Sequence, residues 1–270
     1  ADYLKQYSQV AKKAIISKED LDIYEAIRIL SDVKENPSST AEEIKQAEEN
    51  LVKANNSVTH VSEATQLSRM NWWTAEYGLI GDIENPKIFG AGLLSSVGES
   101  KWCLSDKVQK LPLTSECVNQ GYDITEPQPQ LYVTPDFQTL VKVLNDFSET
   151  MAYKLGGTRG LEKALQAASV NTVQLDSGLQ ISGQLEAYLK NDNHQVIFLK
   201  FTGPSQLSVY DQEITGHGIK THAHGYSVPL GSFKASSLEV GQNVVFEYDS
   251  GFKIQGLLAG KAEIKNSHAT

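Results

Sequence analysis

The chain contains no apolar run approaching the roughly 20 residues that a membrane-spanning helix needs. Its first residues, Ala1-Asp2-Tyr3-Leu4-Lys5-Gln6, lack a basic stretch followed by an apolar core, so they do not read as a signal peptide. Basic charge is scarce as well: 24 Lys and Arg against 33 Asp and Glu give a formal net charge of −9. Nucleic-acid binding needs a basic surface, so neither a nucleic acid nor a membrane is expected as a partner. The two cysteines, Cys103 and Cys117, fit no paired-thiolate metal spacing. Two ordinary reduced thiols in a cytoplasmic chain are expected. No Ser-His-Asp set, phosphate-binding loop or dinucleotide fingerprint occurs. The first residue is not Met, which raises the expectation of a fragment, a processed chain or a trimmed one.

What is present reads as globular: 40% hydrophobic and 21% charged residues over 270 positions, enough for one large domain or two ordinary ones. Residues 2 to about 80 carry a helical period. Leu21, Tyr24, Ile27 and Leu30, widened by Ile23 and Ile29, form the apolar stripe of a second helix. Asn36-Pro37-Ser38-Ser39 breaks it, and Thr40-Ala41-Glu42-Glu43 is a capping box that opens a third, mostly charged surface helix. A fourth helix is predicted to place Leu67, Met70, Trp73 and Tyr77 on one side. Lys87-Ile88-Phe89, Leu111-Pro112-Leu113 and Gln130-Leu131-Tyr132-Val133 read as short extended pieces. From Pro135 another helix runs through Phe137, Leu140, Val141, Leu144, Phe147 and Met151, and Gly156-Gly157 stops it. A short helix near residues 161–168 closes the first domain, 1–169.

From Val170 the period shortens to 2. Val173, Leu175, Leu179 and Ile181 alternate around Asp176-Ser177-Gly178, a hairpin signature. The pattern recurs: residues 173–185 align with residues 246–258, keeping Asp, Ser, Gly, Ile, Gly and the final Leu. Gly183 and Gly256 occupy matching places after the turn, where each suggests a bulge or bend. Residues 170–265 are therefore expected to form a small all-β barrel or sandwich, and the tail 266–270 to be disordered. The fold class is α+β.

The chemistry centres on Asn71-Trp72-Trp73-Thr74-Ala75-Glu76-Tyr77-Gly78-Leu79 and on Phe89-Gly90-Ala91-Gly92-Leu93-Leu94-Ser95-Ser96. Glu76 is a carboxylate among large apolar side chains, where an unpaired charge is costly. Its partner could be a nearby Arg or Tyr, or a metal. For the tryptophans, ordinary core is the plain reading, and a double role is compatible with it.

These stretches, together with Gly98-Glu99, Cys103-Leu104-Ser105 and Tyr122-Asp123-Ile124-Thr125-Glu126-Pro127-Gln128-Pro129, resemble the pterin-dependent aromatic amino acid hydroxylases, bacterial phenylalanine 4-monooxygenases in particular. The likeness covers somewhat over a third of the chain and leaves the β-module outside. It implies a mostly helical C-terminal part of the hydroxylase catalytic domain and an oxidoreductase of phenylalanine catabolism, using Fe(II), a tetrahydrobiopterin-type cofactor, dioxygen and an aromatic amino acid. In such a family two histidines and one glutamate hold the iron, and the resemblance assigns the glutamate to Glu76. It assigns Trp72, Tyr77, Gly92, Ser95 and Ser96 to the substrate pocket, and makes Tyr122 the tyrosine that lies near the iron. Asn71 stands where relatives commonly carry an aromatic residue, so no pterin contact is carried over.

One departure outweighs these matches. The family's histidine pair comes from an H-E-x-x-G-H helix upstream of the glutamate, and residues 1–75 contain only His60. The chain is therefore expected to be the C-terminal part of such an enzyme and, alone, to bind iron poorly and be inactive. His217 and His222 share the family pair's gap, and His224 follows. They lie on the wrong side of Glu76, beside Gly216 and Gly218, and read as solvated histidines of a polar loop. The alternative function is a non-catalytic binding or oligomerisation module built on the β-domain.

Overall fold

A computed structural model describes residues 2–124, 126–235 and 239–260. Thr125 and the tail expected after Lys265 lie outside these residues. The class is α+β, and the chain divides into two compact units, Ala1–Gly156 and Gly157–Thr270.

The first unit begins with α1 (Asp2–Ala11), then α2 (Lys18–Glu35) and α3 (Ala41–Asn56), which pair as a hairpin. The Thr40 capping box forms as expected: Thr40 Oγ1 accepts from Glu43 N and the Glu43 carboxylate accepts from Thr40 N. A second box, Ser17 with Asp20, starts α2. The apolar stripe of α2 stays largely at the surface. No residue of α2 is buried, and Tyr24 is 66% and Ile27 51% exposed. The period is helical, but α3 accepts only the half-buried Ile23, Ala26, Leu30 and Val33 side.

Next come α4 (Glu63–Asn71) and a π-helical turn (Trp72–Glu76). Strands β1 (Leu79–Gly81), β2 (Pro86–Ile88), β3 (Gln109–Pro112) and β4 (Gln130–Thr134) form one sheet in the order β2-β1-β4-β3, with β1 and β3 each parallel to β4. Two short helices, α5 (Ala91–Ser95) and α6 (Val97–Trp102), lie between β2 and β3. The helix predicted from Pro135 is split into α7 (Phe137–Ser148), capped by Asp136, and α8 (Ala152–Leu155). Leu67, Met70, Trp73, Leu79, Leu93, Leu131, Leu140, Leu144 and Met151 are fully buried together. Phe137 is not among them; it is 58% exposed.

In the second unit α9 (Gly157–Ala167) precedes β5 (Val170–Gln174), β6 (Leu179–Lys190), β7 (Val196–Val209), β8 (Gln212–Glu213) and β9 (Gly225–Pro229). These five strands form an antiparallel sheet in which the long β7 pairs with β6, β8 and β9. A three-stranded sheet contains β10 (Phe233–Ala235), β11 (Asn243–Tyr248) and β12 (Lys253–Leu257). The rings of Phe198 and Phe252 stack 5.0 Å apart between the two sheets.

Both repeats of the hairpin form with the same turn. Leu175 N bonds Leu179 O and Gly178 N bonds Leu175 O; Tyr248 N bonds Phe252 O and Gly251 N bonds Tyr248 O. Gly178 and Gly251 take the positive φ the turn requires, +83° and +89°. The two later glycines differ. The β6–β7 register shifts at Gly183, whose ideal Cβ would lie 2.6 Å from Ser205 Oγ. Gly256 sits in unbroken register against Val244, so no bulge forms there.

Candidate functional site

The site grows from the end of α4. Thr74 Oγ1 donates to Met70 O at 2.6 Å and lies 2.8 Å from the Tyr3 hydroxyl. A hydroxyl bonded back to a carbonyl four residues earlier competes with the helical ladder. Here the ladder widens: Tyr77 N bonds Trp72 O, five residues back, at 2.8 Å. Such π turns concentrate at functional sites. Tyr77, just past the turn, is half-buried and packs at the margin of the core that buries Leu67, Met70 and Trp73.

The turn separates the two tryptophans. Trp73 is core, its indole N–H donating to Gln120 O at 2.8 Å. Trp72 faces the other way and is sandwiched between Tyr77, 4.3 Å between centroids, and Tyr122, 4.2 Å. Offset aromatic stacks of this kind hold rings in fixed planes. The buried Trp72 indole N–H has no acceptor among the described residues, so the stack keeps one unmet donor. The Tyr77 hydroxyl donates to the Glu99 carboxylate at 3.2 Å, and burial, followed by that carboxylate, raises its pKa above the ordinary phenol value. Tyr122 is tied through its hydroxyl to Ser68 Oγ at 3.2 Å.

The glycines earn their place by close approach. A Cβ on Gly90 would fall 2.5 Å from Glu76 O and 2.6 Å from Gly78 N, and one on Gly92 would fall 2.9 Å from the Tyr77 ring. The loop 89–92 therefore lies directly against the π turn. Ser95 and Ser96 are nearby but locally engaged: Ser95 Oγ donates to Gly92 O, and Ser96 Oγ accepts from Glu99 N at the start of α6. The structure thus brings Trp72, Tyr77, Gly92 and Tyr122 together and leaves the serines on helix-end duties.

Glu76 ends the π turn half-buried, with no hydrogen-bond or ion-pair partner among the described residues. His60 is elsewhere, its Nδ1 3.3 Å from Glu19 at the base of α2. Among the described residues no three His, Cys, Asp or Glu side chains are grouped so as to hold a metal ion. The side chains present therefore do not fit a site of two histidines and one carboxylate. One open cavity of about 380 Å³ is bounded by Trp73, Tyr122 and residues 126–130, and another of about 390 Å³ lies between α1 and α4. Glu76 lines neither.

The acid that is buried is one the sequence does not single out. Glu63, 4% exposed, accepts from Ile15 N at 3.1 Å and Ala152 N at 2.7 Å, tying α4 to the α1–α2 link and to α8. An acidic residue in the first turn of a helix looks like an ordinary dipole partner in sequence. Cys103 and Cys117 are buried free thiols, and burial pushes the Cys117 thiol up to about 12. No helix among the described residues is long and apolar enough to cross a membrane.

Residues 41–161 match the model of the biopterin-dependent aromatic amino acid hydroxylase family. The chain is 42% identical over 87 residues to a cattle phenylalanine-4-hydroxylase, covering 32% of this chain and 19% of the relative. It is 36% identical over 109 residues to the phenylalanine-4-hydroxylase of Mesorhizobium japonicum, covering 38% of each. An iron- and phenylalanine-bound crystal structure of the Chromobacterium violaceum enzyme aligns at 28% identity with TM-score 0.28, over 37% of this chain and 39% of that one. The resemblance to these hydroxylases is therefore borne out across the segment that carries the stack and Glu76. The chain spans about a fifth of the length of the cattle relative.

Proposed function

We propose that the chain forms the glutamate-bearing part of an iron- and tetrahydropterin-dependent monooxygenase that hydroxylates the ring of phenylalanine to give tyrosine. The observation that supports it best is Glu76: a carboxylate engaged by no described residue, at the end of a π turn, inside the stretch that matches the hydroxylase family. In this reading Glu76 is the carboxylate ligand of iron. The flat faces of Trp72, Tyr77 and Tyr122 form one wall of an aromatic-amino-acid pocket, with Gly92 letting the backbone approach and Ser95 and Ser96 at its rim. Tyr77 is a positioned ring, held by Glu99 rather than free to turn.

The described residues supply one of three iron ligands, and no side chain is assigned to the pterin. The 270-residue chain by itself is accordingly proposed to bind iron poorly and to be inactive, and the working enzyme to be cytoplasmic. Tyrosine formation from phenylalanine, with Fe(II) and tetrahydropterin, is measured for this chain and for the complete gene product. The expected result is no turnover by the 270-residue chain, turnover by any product that also carries a paired-histidine helix, and loss of that turnover in Glu76→Ala. Turnover by this chain alone, or an active Glu76→Ala enzyme, would sink the proposal.

The second reading, a binding or oligomerisation module, has one observation in its favour. Strand β12 is exposed along its whole length and carries Ile254 and Leu257, 40% and 65% exposed, at a sheet edge.

A further inference from the structure

His217 and His222 are not the solvated loop residues their sequence suggests. Both are half-buried, their rings stack with centroids 5.3 Å apart, and His217 Nδ1 lies 3.1 Å from His222 Nε2. The loop between β8 and β9 that carries them is fixed by its backbone. His217 N bonds Ile214 O and His217 O accepts from Leu207 N; His222 N bonds Gly218 O and His222 O accepts from Ser205 N. Each histidine thus has both of its main-chain groups engaged, and two of these bonds run to β7. The Tyr226 ring meets the edge of the His222 ring at 4.9 Å, which limits how it can turn.

A nitrogen pair at this distance has two chemical readings. It is a hydrogen bond between neutral imidazoles, or it is the edge of a coordination polyhedron. Nitrogen ligands about 2.0–2.1 Å from a metal lie roughly 3.3 Å apart in a tetrahedral site and about 2.9 Å apart in an octahedral one. The observed separation falls between these two edges, so in distance both nitrogens can serve one metal ion. In the same loop the Glu213 carboxylate packs against Gly218, where an added Cβ would lie 2.7 Å from Oε2, and His224 is exposed two residues beyond His222. Among the described residues no third ligand is already in place.

We propose that His217 Nδ1 and His222 Nε2 form a preorganised two-histidine site for a late first-row divalent metal of the zinc or copper class. Solvent, His224 or Glu213 completes the coordination. Imidazole suits these metals, and ligands held by a rigid backbone lose little freedom on binding. The proposal does not involve Glu76, and its failure leaves the hydroxylase reading untouched.

The untagged, metal-free 270-residue chain is titrated with Zn²⁺ by calorimetry and with Cu²⁺ by electron paramagnetic resonance. The expected result is one metal per chain with two-nitrogen hyperfine structure. His217→Gln and His222→Gln should each weaken binding by more than the roughly 10- to 100-fold lost when an outer-shell partner is removed. His60→Gln should leave it unchanged. Should the loop variants misfold, ring ¹⁵N spectra of the wild-type chain decide the matter, since Zn²⁺ must then shift the His217 and His222 resonances together. Absence of a stoichiometric complex, or a complex that spares both of these rings, overturns the proposal.

Discussion

The α2–α3 hairpin and the segment from α4 to the Gly90–Gly92 loop are neighbours in sequence and opposites in what holds them. The hairpin obeys local rules. It has two capping boxes, and its ion pairs Lys18–Asp22, Arg28–Asp32 and Lys34–Glu48 are exposed, the class that adds little to stability. It buries almost nothing; Ala47 is the one buried residue of its two helices. The other segment breaks a local rule at the π turn and is held by long-range contacts: Tyr3 to Thr74, Gln120 to Trp73, Glu99 to Tyr77. Local consistency builds the helices, while the candidate site depends on contacts from distant residues. Departure from local preference is the pattern expected where function constrains the chain.

That contrast can be tested first where the largest effect is expected. In Gly90→Ala the three atoms nearest the new methyl are all backbone, Glu76 O, Gly78 N and Glu76 C, within 2.7 Å. No side chain can swing away, so the loop or the π turn must shift. Overpacking against backbone should cost about 3 kcal/mol, read as a lowered urea midpoint with an unchanged slope. A cost below about 1 kcal/mol would mean that the close approach is not what fixes the segment.

A smaller effect is expected at Glu63, which joins the two regions. Glu63→Gln keeps the size of the side chain but can accept at only one oxygen while facing two amide donors, Ile15 N and Ala152 N. One donor is left unmet in a buried place, for a loss of about 1–3 kcal/mol. Hydrogen exchange should quicken at Ile15 or Ala152 and leave the second unit unaffected. Exchange that stays slow at both amides would show that another acceptor replaces the carboxylate.

How much of this was legible follows the same division. The Thr40 box and the repeated Asp-Ser-Gly turns could be read because each is settled within four residues. The stack of Trp72, Tyr77 and Tyr122 could be approached only through resemblance, since Tyr122 arrives from a separate loop. The π turn was not legible: its Thr74 hydroxyl is shared between Met70 O within the helix and Tyr3, 71 residues away. The stripe on α2 had the period of the helix it forms, but periodicity describes a helix and not what covers it. The His217–His222 contact was hidden for a related reason. Five residues apart in a glycine-containing loop, the two rings meet only because β7 holds the loop's backbone.

The smallest effect, and the sharpest separation of the two regions, should come from acid. Burial works to raise the Asp20 carboxyl, but bonds from Ser62, Ser17 and Thr65 outweigh it and hold the pKa below the usual carboxylate range; the Thr40 bonds lower that of Glu43. A group whose folded pKa is depressed contributes stability above its unfolded value, near 4, and that contribution is lost as pH falls through the folded value. Both carboxylates sit at hairpin caps, whereas no tryptophan lies in the hairpin: Trp72 and Trp73 lie in the other segment and Trp102 ends α6. Lowering the pH below about 4 should therefore reduce far-ultraviolet helical signal while tryptophan emission stays constant. In Asp20→Asn part of that helical loss should already be present at neutral pH, because a neutral cap accepts more weakly than a charged one. Coincident acid transitions by the two probes would mean that the hairpin and the stack melt as one unit, and that the division between local and long-range stabilisation does not survive in solution.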